Sequence, residues 1–308
     1  MRKSETENHH PLLYREEETV AIAALNRPEK CNALSLALLE SLEHRLEDLE
    51  TRRNIRVLIV AGLGNHFCGG LDLREAAEDE PVEIPFSRAE RFCRKRLPKR
   101  ILESFPFDPR KKAVLMPKGF WMPRLVADIL YRLPLLPQTV IGIGHGGAYG
   151  GGGALLASCD IALGAPDLRL GFPECRRGLE PALLHPFLTR RTSPSALYPY
   201  LLSGEAIPLC DALRIGFVDF PLGEEISFEQ IPSLDEIRSR PALKRIIEGV
   251  LAGSPQMVRQ TKRRAAAETL PAESTVIGAL WRHWKSWNRE PAREGIRAFL
   301  EKRAPRWD

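Results

Sequence analysis

The feature that most restricts the fold is a junction that occurs twice: a continuous apolar run that empties into a glycine-rich turn. Val57 to Ala61 leads into Gly62-Leu63-Gly64-Asn65-His66-Phe67-Cys68-Gly69-Gly70-Leu71-Asp72, and Thr139 to Ile143 leads into Gly144-His145-Gly146-Gly147-Ala148-Tyr149-Gly150-Gly151-Gly152-Gly153. Short apolar runs bounded by turn residues read as strands buried on both faces. Glycine lets the following backbone turn tightly and come close to a neighbour. Gly151 to Ser158 is expected to be a short helix, whose first N–H groups lack intrahelical acceptors and lie at the positive end of the helix dipole. Two such turns brought together make an oxyanion hole.

The flanking segments repeat the scheme. Thr19 to Leu25 is β-prone, Leu36 to Leu49 has apolar residues at helical spacing, and Asp160 to Leu163 is a further strand candidate. Two such cycles imply a layered α/β architecture. From about Ala242 the chain reads as helical and charged, with Trp281, Trp284 and Trp287 as a core or subunit-contact stripe. The expected organisation is a polar tail over 1–15, a core over 16–240 with an insertion at about 76–130, and a helical region over 241–308.

The insertion stands out by charge. Residues 81–120 hold eleven basic side chains against four acidic ones, while the whole chain is only +5. Six prolines in that window argue against one long helix and for a loop with short helical pieces. Its basic stretch reads either as a solvated insertion or as a lid that docks an anion. It lacks interleaved stacking aromatics, which argues against nucleic acid. No run approaches the length of a membrane span and Met1 to Tyr14 has no apolar leader core, so a cytoplasmic protein is expected. The six cysteines show no paired or metal-like spacing, so neither disulfides nor a metal site is expected.

Five ordered motifs then carry a resemblance. Leu25-Asn26-Arg27-Pro28-Glu29-Lys30-Cys31-Asn32-Ala33-Leu34, Phe67 to Asp72, Tyr149 to Gly152 through Ser158-Cys159-Asp160, Leu170 to Glu174, and the tail Arg293 to Arg303 resemble the crotonase (enoyl-CoA hydratase/isomerase) superfamily. The resemblance covers nearly the whole chain outside 76–130. It implies a spiral of repeated ββα units with a C-terminal helical trimerisation region, hence a trimer or hexamer. It also implies a lyase or isomerase acting on an acyl-CoA or acyl-carrier-protein thioester, with no separate cofactor.

Carried over residue by residue, the resemblance puts the oxyanion donors on the N–H groups of Leu71 and Gly151. It puts the acid/base on Glu174 and the CoA-binding edge on Arg27, Lys30, Ala33 and Gly69. Phe299 and Lys302 match positions that reach a neighbouring subunit's CoA. Family hydratases use two glutamates, and the place of the first is held here by Ala154. One glutamate is enough to isomerise a double bond, to dehydrate through an enolate, or to protonate the enolate left by decarboxylation. A catalytically inactive acyl-CoA-binding or protein-binding member is the other reading. Gly178 to Arg191 is similar to polyketide-pathway crotonases that dehydrate β-branched acyl groups on a carrier protein, and a carrier or CoA would suit the basic insertion.

Each candidate also has a plainer reading. Glu174 could be a surface carboxylate paired with Arg176 or Arg177. His145 and Tyr149 could reach substrate, as could His66, but a histidine in a turn also satisfies backbone partners and a tyrosine also packs. Glu180, just before a proline, reads as a first-turn acid rather than a second catalytic carboxylate.

Overall fold

The computed structural model describes residues 10–85, 107–108 and 113–307. The basic run from Arg88 to Lys112, on which the anion-docking expectation rests, lies outside them.

Twelve strands are described: β1 (Leu12–Glu17), β2 (Val20–Leu25), β3 (Val57–Gly62), β4 (Val82–Pro85), β5 (Phe107–Asp108), β6 (Ala113–Met116), β7 (Thr139–Gly144), β8 (Gly147–Tyr149), β9 (Ile161–Gly164), β10 (Arg169–Gly171), β11 (Ile207–Pro208) and β12 (Phe220–Pro221). The helices that matter for the site are α1 (Leu36–Leu49), α2 (Lys118–Arg132), α3 (Gly151–Ser158), α4 (Pro255–Thr269), α5 (Glu273–Trp287) and α6 (Glu290–Leu300).

The main sheet runs β1-β2-β3-β7-β9-β12; its first pair is antiparallel and the rest parallel. Side chains alternate across a strand, and the continuous apolar runs therefore feed two cores. Ala21, Ala23, Leu58, Val60 and Val140 join one core, and Val20, Ile22, Val57, Ile59, Ile141 and Ile143 the other. The first core is roofed by α1 and α2, which pack on one another. The N-terminus of α1 is capped by Ser35, whose hydroxyl accepts the Leu38 N–H at 3.2 Å. A second sheet, β11-β10-β8, holds β8 and β10 parallel.

Among the described residues of the insertion, β4, β6 and β5 form an antiparallel sheet, which the sequence did not suggest. Lys118–Arg132 is a helix buried from Gly119 to Leu130, with Pro123 inside it. Pro123 is accommodated because burial of an apolar helix face outweighs the one backbone hydrogen bond it forgoes.

A buried lysine ties the C-terminal region to the sheet. Lys262 on α4 pairs with Asp160 at 2.6 Å and donates to the carbonyls of Leu133 and Gln138. Asp160 also accepts the Val140 N–H at 2.7 Å, so one carboxylate joins α4 to β7. Farther on, α6 lies across residues 175–178 so closely that a Cβ on Gly295 would meet the Arg177 carbonyl at 2.2 Å. Among the described residues no helix is long and apolar enough to cross a membrane.

Candidate active site

The two glycine turns meet. Tyr149 donates its N–H to Cys68 O at 2.9 Å and Cys68 donates its own to Gly147 O at 3.1 Å, which fastens the first turn along β8. The approach depends on missing side chains. A Cβ on Gly70, whose φ is +89°, would strike Tyr149 O at 2.6 Å, and one on Gly152 would strike Cys68 O at 2.4 Å.

The result puts two amides side by side. The Leu34 N–H is spent on Gly70 O and the Asp72 N–H on Leu34 O, while the Leu71 N–H between them has no backbone acceptor among the described residues. Gly151 opens α3 after Gly150, and its N–H likewise has no intrahelical acceptor. A Cβ placed on Gly151 would lie 3.9 Å from the Leu71 nitrogen. Both residues line one cavity of about 60 Å³.

Glu174 reaches the same cavity through the second sheet. Gly150 donates to Gly171 O at 2.8 Å, so the segment after β10 runs beside the second turn. Glu174 Oε1 lies 2.9 Å from where a Gly150 Cβ would stand. The residue is half-buried, but its Oε2 is sealed from solvent and has no hydrogen-bond partner. Burial pushes the carboxyl up to about 7, against the weaker pull of its own backbone N–H and of Arg177. Arg176 instead donates to Ser203 O at 2.6 Å, and the Arg177 guanidinium stacks 4.1 Å over Phe299. Among the described residues neither arginine forms an ion pair with Glu174. Ala154, one helical turn after Gly151, is fully buried and brings no second carboxylate.

A second, more open groove adjoins the cavity. It is lined by Lys30, Ala33, Gly69, Phe299 and Lys302, five of the six residues assigned above to CoA. Gly69, Leu71, Leu73 and Arg177 line both spaces. Arg27 is absent from the groove: its guanidinium donates to Ala33 O at 2.6 Å and pairs with Asp72 at 3.1 Å, which shapes the edge from behind. Phe299 and Lys302 face this chain's own groove rather than extending away from it, because α6 folds back on residues 175–178.

Three sequence candidates stand outside the cavity that holds Glu174, although His66 and Tyr149 line the outer groove. His145 is completely buried, 3.0 Å from Gly64 O and edge-on to Phe228, and lines neither space. Burial lowers its pKa, which keeps the imidazole neutral. His66 accepts the Gly147 N–H at 2.9 Å, a turn-fastening role. Tyr149 lines the outer groove, with its ring against Gly147 and Gly171, and does not line the cavity that holds Glu174.

The sequence reading missed part of the cavity wall. Leu183, Leu184, His283 and Trp287 complete it. His283 stands on the buried face of α5 with Val276, Ala279 and Leu280, so its i, i+3, i+4, i+7 register was the available signal. Trp287 does not merely pack; it covers Gly119 and borders the cavity.

Paired amides without backbone acceptors thus share one cavity with the Glu174 carboxyl, and comparison with known proteins gives the family. The family model described as enoyl-CoA hydratase/isomerase matches residues 15–92 and 123–308. A putative enoyl-CoA hydratase from Thermus thermophilus is 26% identical over 292 residues, 94% of this chain and 97% of that protein. The 2,3-dehydroadipyl-CoA hydratase of Escherichia coli is 28% identical over 295 residues, with 96% and 97% covered. An enoyl-CoA hydratase structure from Mycobacterium avium superposes with a TM-score of 0.70 at 25% identity, with 97% of this chain and 99% of that one covered. The chain belongs to the enoyl-CoA hydratase/isomerase family and is a crotonase-fold enzyme.

Proposed function

We propose that the protein interconverts 3-hydroxyacyl and 2-enoyl thioesters through an enolate, with Glu174 as the single proton carrier. The observation that carries this reading is the Glu174 carboxyl, its Oε2 sealed without a hydrogen-bond partner in the cavity of the Leu71 and Gly151 amides, with Ala154 where a second acid would stand; Glu180, which also borders the cavity, is exposed to solvent. The thioester oxygen accepts both N–H groups, which stabilises the negative charge as it develops. Glu174 as carboxylate takes the Cα proton. The same residue, now protonated, gives that proton to the β-hydroxyl, which leaves as water while the Cα–Cβ double bond forms. A pKa near 7 suits both halves of the cycle.

The CoA, or a carrier's phosphopantetheine, lies along the groove of Lys30, Ala33, Gly69, Phe299 and Lys302. Lys30 and Lys302 offer exposed ammonium groups to phosphate. The test is solvent-deuterium incorporation at Cα of a saturated acyl-CoA, together with hydration of a 2-enoyl-CoA. Incorporation and hydration are expected. A folded protein that binds acyl-CoA but does neither is a binding member of the family and overturns the reading.

A further inference from the structure

Two polar atoms in the cavity wall are sealed from solvent without a hydrogen-bond partner. One is Glu174 Oε2; the other is His283 Nε2. The first is explained by the proposed chemistry, and the second is not. His283 is only 8% exposed, and its ring packs 6.0 Å from that of Trp287. Burial alone pushes its imidazole down to about 4, so it is neutral at physiological pH. Leaving such a nitrogen unpaired costs on the order of 1–3 kcal/mol, and a leucine or phenylalanine would fill the same helix position without that cost. Around His283 the wall is mostly apolar, with Leu73, Pro123, Val126, Leu183, Leu184 and Trp287, and its charged members besides Glu174 are Arg177 and Glu180. A hydrocarbon chain would be satisfied by those residues and would leave His283 unpaired.

From this juxtaposition we propose that His283 is a specificity-determining residue that hydrogen-bonds a neutral oxygen substituent, a hydroxyl or keto oxygen, on the acyl chain beyond Cβ. This inference rests on the thioester reading of the cavity. A neutral imidazole can donate or accept one hydrogen bond from its free nitrogen, which fits a hydroxyl or ketone. The substrate class is therefore an oxygenated acyl thioester. The step that supplies it has already placed a hydroxyl or keto group on the chain.

The experiment measures binding of saturated acyl-CoAs by titration calorimetry. Hydroxyacyl-CoAs with the hydroxyl at each successive carbon beyond Cβ are compared with the plain acyl-CoA of the same length. One position is expected to bind about tenfold to a hundredfold more tightly than its parent. That preference should vanish in His283→Phe and His283→Leu and survive in part in His283→Gln. Equal binding of every pair by the wild-type protein, or a preference that persists in His283→Phe, overturns the proposal. Should the apolar variants fail to fold, the ¹⁵N shift of the His283 ring in the wild-type protein decides. It must move with the preferred hydroxyacyl-CoA and stay still with the plain one, and equal movement overturns the proposal. If plain acyl-CoAs bind and exchange Cα protons while no hydroxyl helps, only the role of His283 falls. If no acyl-CoA binds, the thioester reading fails and this one with it.

Discussion

Glu174→Gln is expected to abolish proton transfer and, above neutral pH, to stabilise the fold. A carboxyl that moves from an ordinary value of 4.5 to about 7 on folding disfavours its own ionised form by about 3 kcal/mol. Between these values the folded protein binds more protons than the unfolded chain, so stability falls as pH rises. The loss is complete above about pH 7, and below the unfolded value the full stability is kept. Gln has nearly the shape of the protonated carboxyl and never ionises. Its advantage over wild type should therefore be near zero at acid pH and grow to about 3 kcal/mol at alkaline pH. Denaturant unfolding of both proteins across that range measures the difference. Cα deuterium exchange on the same samples should fall about 10²–10⁴-fold in the variant. In the wild-type protein the exchange rate should rise with pH and level off above about 7, as the basic form fills. A stability difference that does not change with pH would refute the buried-carboxyl argument, and wild-type exchange by the Gln variant would refute its catalytic role.

Gly151→Pro removes one oxyanion donor at the first position of α3, where proline is tolerated, and should lower kcat by about 10²–10³ in a folded protein; unchanged turnover would reject the assignment of that amide. Lys262→Met leaves Asp160 and two carbonyls facing an apolar side chain, and the unfolding free energy should drop by about 3–5 kcal/mol. Gly152→Ala puts a methyl group 2.4 Å from Cys68 O, so circular dichroism melts should show a clear loss of Tm, whereas an unchanged melt would mean that the two turns are not pinned together.

Much of the site could be read along the chain because its parts are local. The strand-to-glycine junctions follow from short stretches of residues, and the family resemblance carried by those motifs points to the amides of Leu71 and Gly151 and to Glu174. What eluded the sequence depends on distant segments meeting. His283 lies more than a hundred residues after Glu174, and only the packing of α5 on α2, with Phe120 edge-on to Trp284 at 5.5 Å, brings it to the cavity. His145 fails as a candidate for the opposite reason. The first turn folds back on it and takes its ring nitrogen for Gly64 O. The helix Lys118–Arg132 was not read from the sequence; the one proline inside it, Pro123, is accommodated by burial. The glycine turns and Glu174 are thus written in motifs, while the cavity wall around His283 is written in packing.

The fold of α6 over residues 175–178 gives ligand binding a mechanical partner. Phe299 lines the groove with α6 docked, held by the packing of Ala292 and Ile296 on Leu179 and by the Arg177 guanidinium over the Phe299 ring, and Arg177 borders both groove and cavity. A ligand that fills the groove therefore binds the docked helix and not the loosened one, and mass action makes each reinforce the other. On the proposed reading, CoA thioester in the groove favours docked α6, so cleavage by a protease in the α6 region should slow as the ligand concentration rises.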